Sequence, residues 1–169
     1  MSLLTDDVRA WIGREAVFEA PDELGRAAIR YFALATGDDN PLYTDRTFAL
    51  DHGYPDVIAP PTLVCETNQF VPGARDERGY LNQIFEIPIP GTRQIRGGNA
   101  YEFVRPLLPS DRITVTWRIA DITERASSKG EPMLVVLAEA TYTDADGEQV
   151  ARNRETTIYV PVIDDAVKR

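Results

Sequence analysis

The side chains that most often carry chemistry are scarce in this sequence. It has one histidine, His52, and one cysteine, Cys65, among 169 residues. A zinc site needs a cluster of such ligands, and a nucleophilic side chain needs a base beside it. The sequence offers neither, and it has no glycine-rich phosphate loop. His52 closes a predicted short helix, which favours a capping or surface role. Cys65 lies in an apolar run, which favours a small buried side chain.

A turn after the first long helix holds the remaining candidates. Asp38-Asp39-Asn40-Pro41 follows Gly37, and this composition is typical of a turn that ends a helix. Asp38 offers a carboxylate and Asn40 an amide. Tyr43 adds a phenol, which donates a hydrogen bond near neutral pH and is not a base there. The turn is either a plain connection or part of a site.

Composition limits the classes of partner and the compartment. The net charge is -9, from 27 acidic and 18 basic side chains. Such a chain repels phosphate, so we expect neither nucleic acid nor an anionic membrane as a partner. No apolar run approaches the roughly 18 residues of a membrane span, and the first residues lack a basic signal region. A single cysteine fits a reducing compartment. We therefore expect one cytoplasmic domain over residues 1–163, with a frayed tail at 164–169.

Helical signals dominate the first 72 residues. Apolar spacing predicts a short helix over residues 5–13. A second helix is predicted to open at Pro21-Asp22-Glu23 and to end at Gly37, and a third spans residues 45–52. A further helix is predicted to begin near Pro61 or Thr62 and to end at Pro72-Gly73. The apolar face predicted for the second helix consists of Leu24, Ala27, Ala28, Tyr31, Phe32 and Ala35.

Strand signals dominate the rest of the chain. Besides a short first strand at residues 15–20, alternation predicts strands at 96–107, 113–119, 133–142 and 150–162. A bulge or a close backbone approach is expected at Gly97-Gly98. Residues 144–147 fit a hairpin turn, since Asp144, Asp146 and Glu148 lack the spacing of a calcium loop. An antiparallel meander needs an apolar cover, and only the helix after Pro61 fits that need. The predicted class is α+β, with about five antiparallel strands wrapped around a central helix.

Four segments of the sequence, in this order, resemble the MaoC-like (FAS1-type) dehydratases and (R)-specific enoyl-CoA hydratases, which have the hot-dog fold. That family carries the motif Gly-Asp-x-Asn-Pro-(apolar)-His. Residues 37–42 match it, and then Tyr43 stands where the histidine is found. Residues 59–63, Ala-Pro-Pro-Thr-Leu, resemble the start of the central helix in the FAS1-like N-terminal branch. Residues 97–111 and 151–156 resemble later strands of the family.

The resemblance implies a site for an acyl thioester, carried by coenzyme A or by acyl carrier protein, with no metal and no other cofactor. Asp38 and Tyr43 would occupy the catalytic positions, with Asp38 as the base or water-holding group. A backbone N–H at the start of the central helix would serve the thioester oxygen. Arg96 or Arg105 would supply local positive charge for phosphate. The substrate-binding positions implied are Asn40, Ala59, Pro60, Thr62, Leu63, Arg96, Gly97 and Gly98.

The implied reaction interconverts 3-hydroxyacyl and 2-enoyl thioesters. Because Tyr43 replaces the motif histidine, the leading hypothesis is a substrate-binding, poorly catalytic subunit. Its partner would be a second hot-dog protein that bears the intact Asp and His. Two alternatives stay open: a self-sufficient homodimeric enoyl-CoA hydratase that uses Asp38, and a non-catalytic acyl-thioester-binding protein. An unpaired sheet edge predicts edge-to-edge dimerisation in each case.

Overall fold

The computed structural model describes residues 2–70 and 85–162. The predicted helix end at Pro72-Gly73 and the predicted tail at 164–169 lie outside these residues. Within the described part, no helix is long and apolar enough to cross a membrane.

A single antiparallel sheet of five strands forms the body of the molecule. The strands are β1 (Glu15–Glu19), β2 (Thr92–Phe103), β3 (Thr114–Ala126), β4 (Pro132–Thr143) and β5 (Gln149–Pro161). Their order across the sheet is β1-β3-β4-β5-β2, and every neighbouring pair is antiparallel. The predicted sheet is therefore confirmed, and β1 and β2 form its two edges.

Strand β2 lies four residues earlier than predicted, at 92–103 instead of 96–107. Its first residues pair with the end of β5, from Thr92 opposite Pro161 onwards. It ends before Pro106, which has no N–H to donate to a ladder.

The expected bulge is present in β2. Arg96 lies opposite Thr157, but Gly98 lies opposite Thr156, so Gly97 is the additional residue. A β-carbon on Gly97 would lie 3.0 Å from both the Thr156 carbonyl oxygen and its methyl group. Glycine is thus required there by the close approach of β5.

Three α-helices precede the central element: α1 (Asp6–Arg9), α2 (Gly25–Thr36) and α3 (Arg46–Asp51). Helix α1 is shorter than the predicted 5–13. Helix α2 begins at Gly25 and not at Pro21, because the preceding residues run in the loop from β1. Its end is as predicted: Gly37 takes a φ of 69°, and its N–H binds the carbonyls of Ala33 and Leu34.

The apolar face predicted for α2 is correct only in part. Leu24 and Phe32 are half-buried and pack against the core. The fully buried residues are Ile29 and Ala33, whereas Tyr31 and Leu34 are 62% and 68% exposed. Ala27, Ala28 and Ala35 are exposed as well. Apolar side chains surround this helix, so the sequence contains two possible stripes, and periodicity does not decide which one faces the sheet.

The predicted central helix spans Pro61–Phe70 and packs against the buried face of the sheet. It is a 3₁₀-helix over all ten residues, although such helices are usually short. Leu63 and Val64 of this helix are buried. The Trp117 indole N–H donates to Asn68 Oδ1 at 3.0 Å, and Asn68 Nδ2 donates to the Tyr142 hydroxyl at 3.4 Å.

The corrected face of α2 predicts unequal effects of two apolar truncations. Ile29→Ala should lower the free energy of unfolding by about 2–5 kcal/mol, because it leaves a cavity in the core. Leu34→Ala on the same helix should change it by less than about 0.5 kcal/mol. Denaturant unfolding of both variants measures this difference. Equal losses would mean that Leu34 is covered in solution.

Candidate functional site

The turn at residues 38–43 is built from its own side chains. The Asp38 N–H donates to the Ala33 carbonyl at the end of α2. Asp38 Oδ1 accepts from the Asn40 N–H at 3.2 Å, and Asn40 Oδ1 accepts from the Leu42 N–H at 3.1 Å. Short polar side chains that bind the backbone two residues on favour such turns. The turn leaves Asp38 exposed and carries Tyr43 into the core, where it is 8% exposed.

Backbone hydrogen bonds join this turn to the start of the central helix. The Ile58 N–H donates to the Leu42 carbonyl at 3.0 Å, and the Ala59 N–H donates to the Leu107 carbonyl at 2.8 Å. Ala59, Pro60 and Leu63 are buried, whereas Thr62 is exposed in the first turn of the helix. The N–H groups of a first helical turn have no acceptor within the helix. At this helix start, the Leu63 N–H donates to the Pro60 carbonyl at 2.9 Å.

A cavity of about 210 Å³ opens beside this helix start. Tyr43, Ile58, Ala59 and Pro61 form one wall, and residues 103–107 form the other. Most of these side chains are apolar. Of the predicted site residues, Tyr43 and Ala59 line this cavity. Asp38 and Asn40 act on the Tyr43 phenol, the first through its charge and the second through a hydrogen bond.

Tyr43 is tuned by its surroundings. Burial raises the pKa of its phenol, and the negative charge of Asp38 raises that pKa further. A hydrogen bond with Asn40 lowers the pKa and opposes these two effects. The phenol is therefore a stable hydrogen-bond donor near neutral pH and a poorer proton acceptor than an ordinary tyrosine.

The structure does not bring Arg96, Gly97 and Gly98 to this cavity within the chain. Arg96 lies seven residues before Phe103 on β2, which corresponds to about 20 Å of strand. Its guanidinium lies 3.7 Å from the Glu155 carboxylate and is largely exposed. Burial raises the pKa of Glu155, and the charge of Arg96 lowers it.

Arg105 borders the cavity, but its charge is already paired. It forms two hydrogen bonds with Asp111, at 2.7 and 2.9 Å, and one with Asp144 at 2.8 Å. These bonds raise the pKa of the guanidinium and hold the pKa of Asp144 below its usual range. The expectation that Arg105 supplies charge for a phosphate is not supported. It fixes the segment 104–107 to two neighbouring turns.

Several cavity residues were not foreseen from sequence. Ile58, Phe103 and Leu107 line the cavity, and Phe103 stacks on Tyr101 at 5.7 Å. The Tyr101 hydroxyl lies 3.0 Å from Cys65 Sγ on the central helix. The sequence does show that Phe103 is an apolar residue near the end of a predicted strand. Nothing in the sequence, however, places it opposite the helix start.

The chain matches the model of the FAS1-like dehydratase domain region over residues 10–153. A UPF0336 protein of Streptomyces coelicolor is 38% identical over 142 residues, covering 82% of this chain and 85% of that protein. The chain belongs to the FAS1-like dehydratase family. A UPF0336 protein of Mycolicibacterium paratuberculosis is 33% identical, over 83% of this chain and 76% of the relative.

Solved structures assign the fold of this FAS1-like dehydratase. The HadBC (3R-hydroxyacyl-ACP dehydratase) complex of Mycobacterium tuberculosis has a chain with a TM-score of 0.61 and 25% identity, over 86% of this chain and 96% of its own length. The ChsH1-ChsH2 complex of the same organism has a chain with a TM-score of 0.72 and 17% identity, over 95% of this chain and 93% of its own length. The (R)-hydratase of A. caviae has a TM-score of 0.59 and 18% identity, over 89% of this chain and 96% of its own length. The five-stranded sheet and its helix are therefore the predicted hot-dog fold.

The electrostatic coupling at the turn predicts a shift in one titration. Asp38→Asn should lower the pKa of Tyr43, because it removes a nearby negative charge. The pKa should stay above that of a free tyrosine, since burial is the larger cause. Titration of ring-labelled tyrosines by NMR, with Tyr43→Phe to assign the signal, measures it. Asp39→Asn is the matched control, and an equal shift in both variants would refute the specific coupling.

Proposed function

We propose that this hot-dog protein is the substrate-binding, poorly catalytic subunit of a two-hot-dog hydratase or dehydratase. The reaction interconverts 3-hydroxyacyl and 2-enoyl thioesters, held by coenzyme A or by acyl carrier protein. The observation that carries the proposal is Tyr43, a buried phenol with a raised pKa beside the start of the central helix. Family membership supplies the reaction class, and Tyr43 supplies the subunit role.

The chemistry of hydration supports this division of roles. Adding water across a 2-enoyl thioester needs a group that takes a proton from water and returns one to the α-carbon. Tyr43 is a donor and not a base, so it serves the thioester oxygen or the acyl group. Asp38 remains able to hold water, because it is exposed and accepts a hydrogen bond only from the Asn40 N–H among the bonds described for it.

The sheet supports an assembly with a partner. None of the twelve residues of β2 is buried, and one side of this strand has no neighbour within the described chain. A long unpaired edge is a template for a strand of another molecule. We assign β2 to the contact with a second hot-dog protein that carries the intact Asp and His. Two structural neighbours, ChsH1-ChsH2 and HadBC, are themselves complexes.

A homodimeric hydratase that uses Asp38 is the second candidate. The exposure of Asp38 and its electrostatic effect on Tyr43 favour it, because a carboxylate and a phenol then lie together at one cavity. A binding protein without catalysis is the third candidate. Activity of the purified chain separates the second candidate from the others.

The purified chain alone should hydrate 2-enoyl-CoA at a rate about 10²–10⁴-fold below that of its complex with a partner bearing the Asp-x-Asn-Pro-x-His motif. This is the typical contribution of one positioned acid–base group. Loss of the enoyl-thioester absorbance measures the rate. Co-purification of the two chains tests the assembly.

Substitutions at Tyr43 test whether the chain has a catalytic site that lacks only the motif histidine or has no catalytic site at all. Tyr43→His should recover part of the activity of the lone chain, whereas Tyr43→Phe, which keeps the ring and adds no base, should not. Rapid turnover by the unmodified chain, unaffected by Asp38→Asn, would contradict both the partner hypothesis and the choice of base.

A further inference from the structure

We propose that the cavity beside Tyr43 admits acyl groups of up to about six carbons and that Phe103 sets this limit. The inference rests on the proposed function, since it assumes that the acyl group enters this cavity from the helix start. It adds a substrate class, short-chain acyl thioesters, and a residue that determines it.

An aromatic pair separates the cavity from the space beneath the central helix. Phe103 and Tyr101 lie on the same face of β2, and their rings are stacked with an angle of 5° between the planes. Phe103 lines the cavity, while the Tyr101 hydroxyl reaches Cys65 Sγ on the central helix. An acyl chain that entered past Tyr43 would meet the Phe103 ring before it reached the helix–sheet interface.

Hydrogen bonds of Asn68 cross the interface between the central helix and the sheet beyond this pair. Asn68 accepts from the Trp117 indole and donates to the Tyr142 hydroxyl, and both aromatic side chains are buried. An alkyl chain placed there would leave these polar groups without partners, which costs more than the burial of a methylene returns. The interface is therefore a poor extension of the cavity.

The outer wall of the cavity is fixed as well. Leu107 is buried, and its carbonyl accepts from the Ala59 N–H. Arg105 is held by Asp111 and Asp144 in a network of three hydrogen bonds. Residues 104–107 cannot move outward without breaking these bonds, so the cavity does not widen at low cost.

The volume gives the chain length. An apolar protein cavity of about 150 Å³ holds one benzene molecule, that is, six carbons. The cavity here measures about 210 Å³. It therefore holds about seven or eight non-hydrogen atoms, which corresponds to an acyl carbonyl group with six carbons in total.

Binding of saturated acyl-CoAs of 4, 6, 8, 10 and 12 carbons to the purified full chain tests the limit, with coenzyme A as the reference. Each buried methylene raises affinity about fourfold. The wild-type affinity should rise about fourfold per carbon up to about six carbons and then stay level. In Phe103→Ala the rise should continue to eight or ten carbons, and in Phe103→Trp it should stop earlier.

Ile95→Ala is the matched control, because Ile95 is another partly exposed apolar side chain of β2, remote from the cavity. The Ile95→Ala variant should show the wild-type dependence of affinity on chain length. That result would exclude a general effect of altering this edge strand. Phe103 is 41% exposed, and the two Phe103 variants shift the limit in opposite directions. A fold defect would not do so.

A wild-type affinity that rises through 12 carbons would overturn the six-carbon limit and leave the proposed function in place. An unchanged profile in both Phe103 variants would overturn the role of Phe103. If no acyl-CoA binds better than coenzyme A itself, acyl binding by this chain is refuted, and the inference falls with the proposed function.

Discussion

The contact between the Pro61–Phe70 helix and the buried face of the sheet is the constraint on which the rest of the structure depends. A five-stranded antiparallel sheet that is apolar on one face needs a cover. Leu63 and Val64 supply apolar area, and Asn68 binds Trp117 and Tyr142 at the same interface. Apolar contact fixes the distance between helix and sheet. The directional hydrogen bonds of Asn68 fix the rotation of the helix about its axis, because any other rotation would leave buried polar groups without hydrogen-bond partners.

The packing of the helix on the sheet also fixes the position of the first helical turn. The strand-like segment before it is held on both sides, by Leu42 through Ile58 and by Leu107 through Ala59. These two bonds bring together the turn after α2 and the segment after β2, which lie more than 60 residues apart in sequence. The cavity is the gap that remains between them. Its position is thus a result of where these two segments meet the helix start.

The sequence predicted the elements better than their relative placement. Alternation in β4 and β5, the hairpin turn at Asp144 and the cap at Gly37 are local signals, and the structure follows them. Strand β3 continues to Ala126, seven residues beyond its predicted end, because a register shift between Ile119 and Asp121 interrupts the alternation. The buried face of α2 was predicted only in part, because apolar residues on both sides of a helix give no unique period. The pairing of Arg105 was missed for a different reason. Its partner Asp144 lies 39 residues away, and only the folded hairpin brings it near.

The candidate site shows the same division. The motif at residues 37–42 identified the turn, and the Ala-Pro-Pro-Thr block identified the helix start, because both are local patterns. The bulge at Gly97 was expected, but the strand was predicted four residues too late, and no pattern indicated that Phe103 would face the cavity. One added residue reverses the alternation of the strand, so Tyr101 and Phe103 face inward together with Arg96. Without the bulge they would point to the opposite face.

The physical character of Tyr43 links the site to the sheet edge. A buried phenol next to a carboxylate is held neutral, because ionisation would place two negative charges close together in a poorly solvated place. Such a group positions a ligand oxygen well and moves protons poorly. A site of this kind binds more than it catalyses, which is why we propose that the acid–base group comes from a partner. Strand β2 has no buried residue and, within the described chain, no neighbour along one side, so we propose it as the contact with that partner. The same strand ends in Phe103 at the cavity. In the proposed complex, a partner that pairs with β2 would therefore also lie beside the acyl group.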